Sequence, residues 1–327
     1  MNLGYFENTM IITVKGPLQK DRLGRTLPHE HVIETAPGFE DLFPEINHRN
    51  TVLEKAKKEF GELYELGIKS VVDTTTYDIG RDPEFLLALS EASGVNIICS
   101  TGCYFQITPA FSNQSEIEIT KLFIREIEHG IGTSGIKPGV IKVATGSEGF
   151  TDITHKMFRA ASKAHLETGI PITTHTWAQG ETGLGQLDIF DGFGIDLSNV
   201  CIGHSDDSKD IKYLKKLCNS GAYVAFDKLY PVDRHGESPN IEARVENLAI
   251  LIELGYSHCL FMSHDWSIYA PAFWPEMEEA DRKKQNPFGY KFISKKVIPE
   301  LLNRSVEQQT IDHIMIDNPA KFLNISK

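Results

Sequence analysis

Residues 25–34 read RTLPHEHVIE, with two histidines, His29 and His31, on either side of a glutamate inside an apolar run. In an extended strand alternate side chains share a face, so the two imidazoles point one way and Glu30 the other. On a helix, residues two apart do not face each other. The zinc-protease helix is excluded too, because Ile33 stands where its second histidine belongs. Two imidazoles so placed could be half of a metal site or a pair of hydrogen-bonded core histidines. Four further groups tip the reading toward metal: Lys142 inside GVIKVATG, His175 ending ITTHT, His204 ending CIGHS and Asp265 ending MSHDW. Imidazoles with one carboxylate suit a borderline divalent ion such as zinc, and cobalt, manganese or iron accept the same donors. Two such ions a few ångströms apart lower the pKa of a shared water toward ~7 and polarise an electrophile, which is the chemistry of metal-assisted hydrolysis. Lys142 is the odd member, because an ammonium is repelled by cations and burial lowers an amine's pKa. A neutral amine there can take up carbon dioxide, and the resulting carbamate can bridge two ions.

These groups need elements to bring them together. Short runs rich in Val, Ile and Thr recur through the chain: TLPHEHVI, IKSVVDTTTY, VNIICSTGCY, GVIKVATGS, IPITTHTW, NVCIGHSDD, AYVAFDKLY and HCLFMSHDW. They read as buried strands. Helical segments alternate with them. TVLEKAKKEFGELYELG is expected to start at a Thr51 cap, to carry Leu53, Ala56, Phe60 and Leu63 on one stripe, and to stop near Gly67. DPEFLLALSEASG is expected to be capped by Asp82, with Pro83 at its first position, and to close at Gly94. Eight strand-then-helix units imply parallel pairing and predict a closed α/β fold, the TIM (β/α)8 barrel. Residues 11–25, alternating around a Gly-Pro turn, predict a short N-terminal hairpin. One domain spanning residues 1–327 accounts for the pattern. The long irregular stretch 267–290 after the eighth strand reads as a functional lid, and Trp266, Tyr269, Phe273 and Trp274 could wall an acyl pocket or anchor a dimer surface. In such barrels chemistry sits at the carboxyl ends of the strands, which is where all six groups fall.

A net charge of -12 argues against nucleic acid or an anionic membrane as partner. No apolar run is long enough to span a bilayer, and the N-terminus lacks the pattern of a secretory signal. Five scattered cysteines read as reduced core thiols and a cytoplasmic address. No Gly-rich turn opens a helix, so a nucleotide-binding sheet has no support.

The ordered set GRTLPHEHV, VVDTTTYDIGRD, STGCYF, GVIKVAT, ITTHT, IGHSDD, MSHDW and IDNPAKFL resembles the phosphotriesterase-like branch of the amidohydrolase superfamily, especially its lactonases. The resemblance implies a homodimeric, binuclear hydrolase that opens lactones, with organophosphate triesters as a side reaction. A phosphorylated sugar lactone, or a phosphotriester proper, is the alternative substrate. It implies that His29, His31 and Asp265 hold the buried ion, that His175 and His204 hold the exposed one, and that carboxylated Lys142 bridges both. Asp265 would also carry the proton from the attacking oxygen to the leaving alkoxide. Tyr104, in STGCYF, matches a tyrosine bordering the metal pair. Lys228, in AFDKLY, stands where those lactonases usually carry arginine, which replaces a planar fork with a point charge. Arg234 and His235 could add cationic character or belong to a solvated loop. Asp206 and Asp207 could orient the loop after His204 or lie in solvent, and His264 should face away from Asp265. A metal-binding protein without turnover stays open as another class, although the complete donor set argues against it.

Overall fold

A computed structural model of the chain describes residues 10–43, 45, 48–105, 107–231, 238–271, 281 and 284–325. Two antiparallel strands, β1 (Met10–Thr13) and β2 (Gly16–Gln19), form the expected hairpin. Its turn needs Gly16, whose φ is 102°. The hairpin packs under the barrel: Val14 N–H donates to Ile97 O at 2.8 Å, near the start of a barrel strand.

Eight parallel strands follow: β3 (Arg25–Glu30), β4 (Ile68–Asp73), β5 (Asn96–Gly102), β6 (Val140–Ala144), β7 (Ile172–His175), β8 (Val200–Ile202), β9 (Tyr223–Phe226) and β10 (Leu260–Met262). Each pairs with its neighbour in chain order. The first and last strands meet through His31 N–H to Trp266 O (2.9 Å) and Asp265 N–H to His29 O (3.1 Å). All five residues of β6 and all four of β9 are buried, as required when helices cover one face and the barrel interior the other. The strands end sooner than the apolar runs suggest. His31, His204 and Asp265 all lie just beyond a strand, in the loops at the carboxyl end.

The helices keep to their sequence signals with one correction. The helix Pro83–Ser93 is capped by Asp82, whose carboxylate accepts from Phe85 N–H, and closes at Gly94 with φ 77°. The first long helix runs Arg49–Glu65, three residues earlier than a Thr51 cap requires, and His48 takes the cap position without a side-chain bond. Its buried stripe is Val52, Ala56, Phe60 and Leu63, so Val52 replaces Leu53 because packing against the sheet, not propensity, sets the rotation of the helix. Two π-helical turns, Ile293–Val297 and His313–Asp317, interrupt the C-terminal helices. No helix among the described residues is long and apolar enough to cross a membrane. Phe273, Trp274, Arg234 and His235 lie outside the described residues.

Candidate metal centre

The imidazoles of His29, His31, His175 and His204 converge over the carboxyl ends of the strands. Ring centroids lie 4.4 Å apart for His175 and His204, 4.8 Å for His29 and His204, and 5.9 Å for His29 and His31. Lys142, on β6, is buried at their centre, with Nζ 2.8 Å from His29 Nε2 and 3.3 Å from Thr174 O. Asp265 Oδ1 is 3.2 Å from His31 Nε2 and 3.8 Å from His29 Nε2. All six groups named from the sequence therefore share one pocket.

Their placement depends on backbone that most residues avoid. His204 (φ 54°) and Asp265 (φ 52°) are both left-handed, a conformation costing of order 1–3 kcal/mol for a residue with a Cβ and kept only where the surroundings enforce it. Gly203 explains the close approach of β8 to β7, since a Cβ there would stand 2.0 Å from Thr174 O and 3.2 Å from His29 Cε1.

Electrostatics separate the members. Burial, then the ammonium groups of Lys228 and Lys142, hold His175 well below the ordinary imidazole range. Burial, then Lys228 and His175, do the same to His204. Burial and Lys142 also lower His29. His31 goes the other way: burial pulls it down, but the Glu34 and Asp265 carboxylates outweigh that and raise it to about 9. Burial works against ionised Asp265, yet the imidazoles of His204 and His31 hold it well below the usual carboxylate range. Lys142 is pushed down to about 8 by burial, against the pull of Asp227 and Asp265. The pocket thus gathers three imidazoles that favour the neutral form, His31 held protonated by its carboxylate neighbours, an ionised carboxylate and an amine that loses its proton easily.

These residues fit divalent cations. Donor atoms of His29, His31 and Asp265 lie within 4.8 Å of one another, as do those of His29, His204 and Asp227. The His175 imidazole makes no hydrogen bond among the described residues, and His204 uses only Nδ1, so nitrogen lone pairs are left facing the pocket. His29 Nδ1 is 2.6 Å from Asp227 Oδ2, so the Asp227 carboxylate faces that nitrogen.

Several residues that matter here carried weaker signals. Asp227, fully buried, accepts from His204 Nδ1 at 2.8 Å and from His204 N–H at 2.9 Å, fixing the tautomer that leaves Nε2 unprotonated. An aspartate inside AYVAFDKLY was the available clue, because a buried strand end does not carry an unpartnered acid. Thr75 Oγ1 meets His31 Nδ1 at 2.8 Å. Asp206 and Asp207 are buried rather than solvated: Asp206 accepts from the backbone of Asp227 (3.2 Å) and Lys228 (3.1 Å), tying the ends of β8 and β9 together. Asp207 accepts from Lys228 Nζ at 2.8 Å and from Arg244 Nη2 at 2.6 Å. Arg244, on the helix Ile241–Glu253, is 2% exposed. Its charge inside that helix gave no hint of a role from sequence.

Among the expected substrate contacts, Tyr104 lies beside the centre, its ring edge-on to His175 at 5.0 Å, and Asp78 accepts its backbone N–H at 2.9 Å. Lys228 is buried, and its charge is raised in pKa by Asp207 and Asp265 against the opposing effect of burial. Trp266 packs to one side, its ring 6.1 Å from Tyr230 and its Nε1 3.5 Å from where a Gly289 side chain would begin. His264 faces away from Asp265, as its neighbouring position requires, with Nδ1 2.7 Å from Glu30 Oε1.

A sequence model of the phosphotriesterase family matches residues 9–323. The solved structure of the phosphotriesterase from Mycobacterium tuberculosis superposes with a TM-score of 0.89 at 33% identity, covering 96% of this chain and 98% of that one. An aryldialkylphosphatase of Saccharolobus solfataricus is 31% identical over 95% of this chain and 98% of its own. An N-acetyltaurine hydrolase of Salmo salar is 29% identical over 95% and 97%.

Proposed function

This chain belongs to the phosphotriesterase family of metal-dependent hydrolases, and from that premise we propose that it opens lactones, with organophosphate triesters as a side reaction. The observation that carries the reading is the convergence of His29, His31, Lys142, His175, His204 and Asp265 in one buried pocket with Tyr104 at its edge. His29, His31 and Asp265 would hold one divalent ion, and His175 and His204 a second, with zinc the best match to the donors. Such ions supply a Lewis acid for the carbonyl oxygen and make water acidic enough to attack near neutral pH. Everything else falls to side chains. Neutral Lys142 adds carbon dioxide through Nζ and gives up a proton, so that its end becomes an anionic carbamate rather than a repelling ammonium. Asp265, kept ionised, accepts the proton of the attacking oxygen and returns it to the alkoxide that leaves on ring opening. Tyr104 supplies an aromatic wall for the acyl part, and Trp266 packs beside Tyr230. Lys228 places a positive charge beside the substrate.

Lys228 also favours a second reading, in which the lactone carries a phosphate or the substrate another anionic group. Metal-checked protein screened against aliphatic lactones, phosphorylated aldonolactones, phosphotriesters and N-acetyltaurine separates the readings. Lactonase activity that Asp265→Ala lowers by about 10²–10⁴-fold supports the main one. Near-wild-type turnover in Asp265→Ala defeats the mechanism, and selective loss on anionic substrates in Lys228→Ala favours the second reading. The same reading makes the protein a cytoplasmic homodimer, which light scattering and fractionation check.

A further inference from the structure

Glu30, the residue between the two histidines of the opening motif, has no place in the mechanism, yet it is fully buried and accepts four hydrogen bonds. Oε1 receives Ser263 Oγ–H at 2.8 Å, His264 N–H at 2.8 Å and His264 Nδ1 at 2.7 Å; Oε2 receives Trp266 N–H at 3.0 Å. These donors come from the residues on both sides of Asp265. We propose that Glu30 is the positioning residue that forces Asp265 into its left-handed conformation and so aims its carboxylate at His29 and His31. The inference rests on reading Asp265 as a metal ligand.

The geometry leaves little freedom. Strand alternation sends His29 and His31 into the pocket and Glu30 behind it, where its carboxylate meets the loop after β10 from the back. Asp265 N–H is held by His29 O at 3.1 Å, and the flanking amides of His264 and Trp266 are held by Glu30, so three successive amides are fixed from β3. His264 is braced from the far side as well, because its Nε2 accepts from Ile293 N–H at 3.1 Å in the first π-turn. Ser263 Oγ completes the link by accepting from His29 N–H at 3.0 Å. A left-handed residue with a Cβ persists only under such enforcement. Glutamine cannot replace Glu30: one accepting oxygen would become a donating NH2 facing amides that also donate.

The test uses cobalt titration of the metal-free protein, read by visible absorption and metal content, on wild type, Glu30→Gln and Ser263→Ala. Wild type should bind two equivalents. Folded Glu30→Gln should bind the equivalent held by Asp265 about 10- to 100-fold more weakly, with an altered spectrum. Ser263→Ala removes one donor while sparing the carboxylate, and carries the test should Glu30→Gln not fold; it should weaken the same equivalent several-fold. Ser70→Ala is the control, deleting an equally buried hydroxyl that bonds Leu23 O at 2.5 Å, away from the centre. It should leave cobalt affinity unchanged. A wild type that binds no cobalt overturns the metal-centre reading and this inference with it. A wild type that binds two, beside folded variants with unchanged affinity and spectrum, overturns the role of Glu30 alone, as does a loss in Ser70→Ala equal to that in Ser263→Ala.

Discussion

Replacing Asp227 by asparagine changes one oxygen to an amide nitrogen and little else, yet the surroundings tolerate neither orientation of the new group. With its oxygen toward His204, the amide satisfies His204 N–H and Nδ1–H, but its NH2 then stands at the 2.6 Å contact with His29 Nδ1. That contact demands a lone pair on Nδ1 and moves the His29 proton to Nε2, the nitrogen 2.8 Å from Lys142 Nζ. Flipped, the NH2 opposes two donors of His204 at 2.8 and 2.9 Å. Each hydrogen bond to a charged group is worth about 1.5–3 kcal/mol net, so the loss should be about 3 kcal/mol. For 327 residues the unfolding entropy is about 0.7 kcal/mol per kelvin, and Tm should fall by about 4 °C. Because one imidazole loses its ligating lone pair, metal affinity should drop about 10- to 100-fold. Thermal scans of metal-free protein give the first quantity and competitive titration against a chelator gives the second. An Asp227→Asn protein that matches wild type in both would refute the claim that this carboxylate sets the tautomers.

Activation of metal-free protein by zinc should depend on carbon dioxide and quicken as pH rises through about 8, where Lys142 becomes neutral; recovery indifferent to bicarbonate, or persisting in Lys142→Ala, contradicts the carbamate. Metal-free protein should be most stable near pH 6.5. Below it the unfolded chain takes protons that His175 and His204 refuse in the fold, so stability falls with acid. Above it the unfolded chain releases a proton that His31 keeps up to about 9, so stability falls again; a pH–Tm curve rising monotonically to pH 9 counts against these assignments. Gly203→Ala should cost about 3 kcal/mol or more and abolish turnover, because β7 and β8 must part next to His204 to admit a Cβ 2.0 Å from Thr174 O. Its Tm beside that of wild type decides the matter.

The barrel was legible in the chain because its grammar is local. Strand runs bury both faces and so read as continuous Val, Ile and Thr, and caps such as Asp82 and closing glycines such as Gly94 act within a few residues of themselves. The six groups could be named for the same reason: each is a polar side chain within or at the end of an apolar run, where the fold's topology delivers it to one place. Thr51 failed as a cap because helix rotation answers to packing. The partners of the donors were not legible. Asp227 bridges two histidines 198 and 23 positions away, Glu30 grips residues from 263 to 266, and Arg244 answers a pair of aspartates on another element. No local pattern marks such pairings, since an acid in a loop costs nothing in water and needs a partner only once the fold has buried it. Sequence alone thus named the groups proposed to do the chemistry and showed roughly where they lie. Tertiary structure decided their tautomers, their charges and the strained backbone that aims them, because those depend on desolvation and on atoms brought close only by the closed barrel.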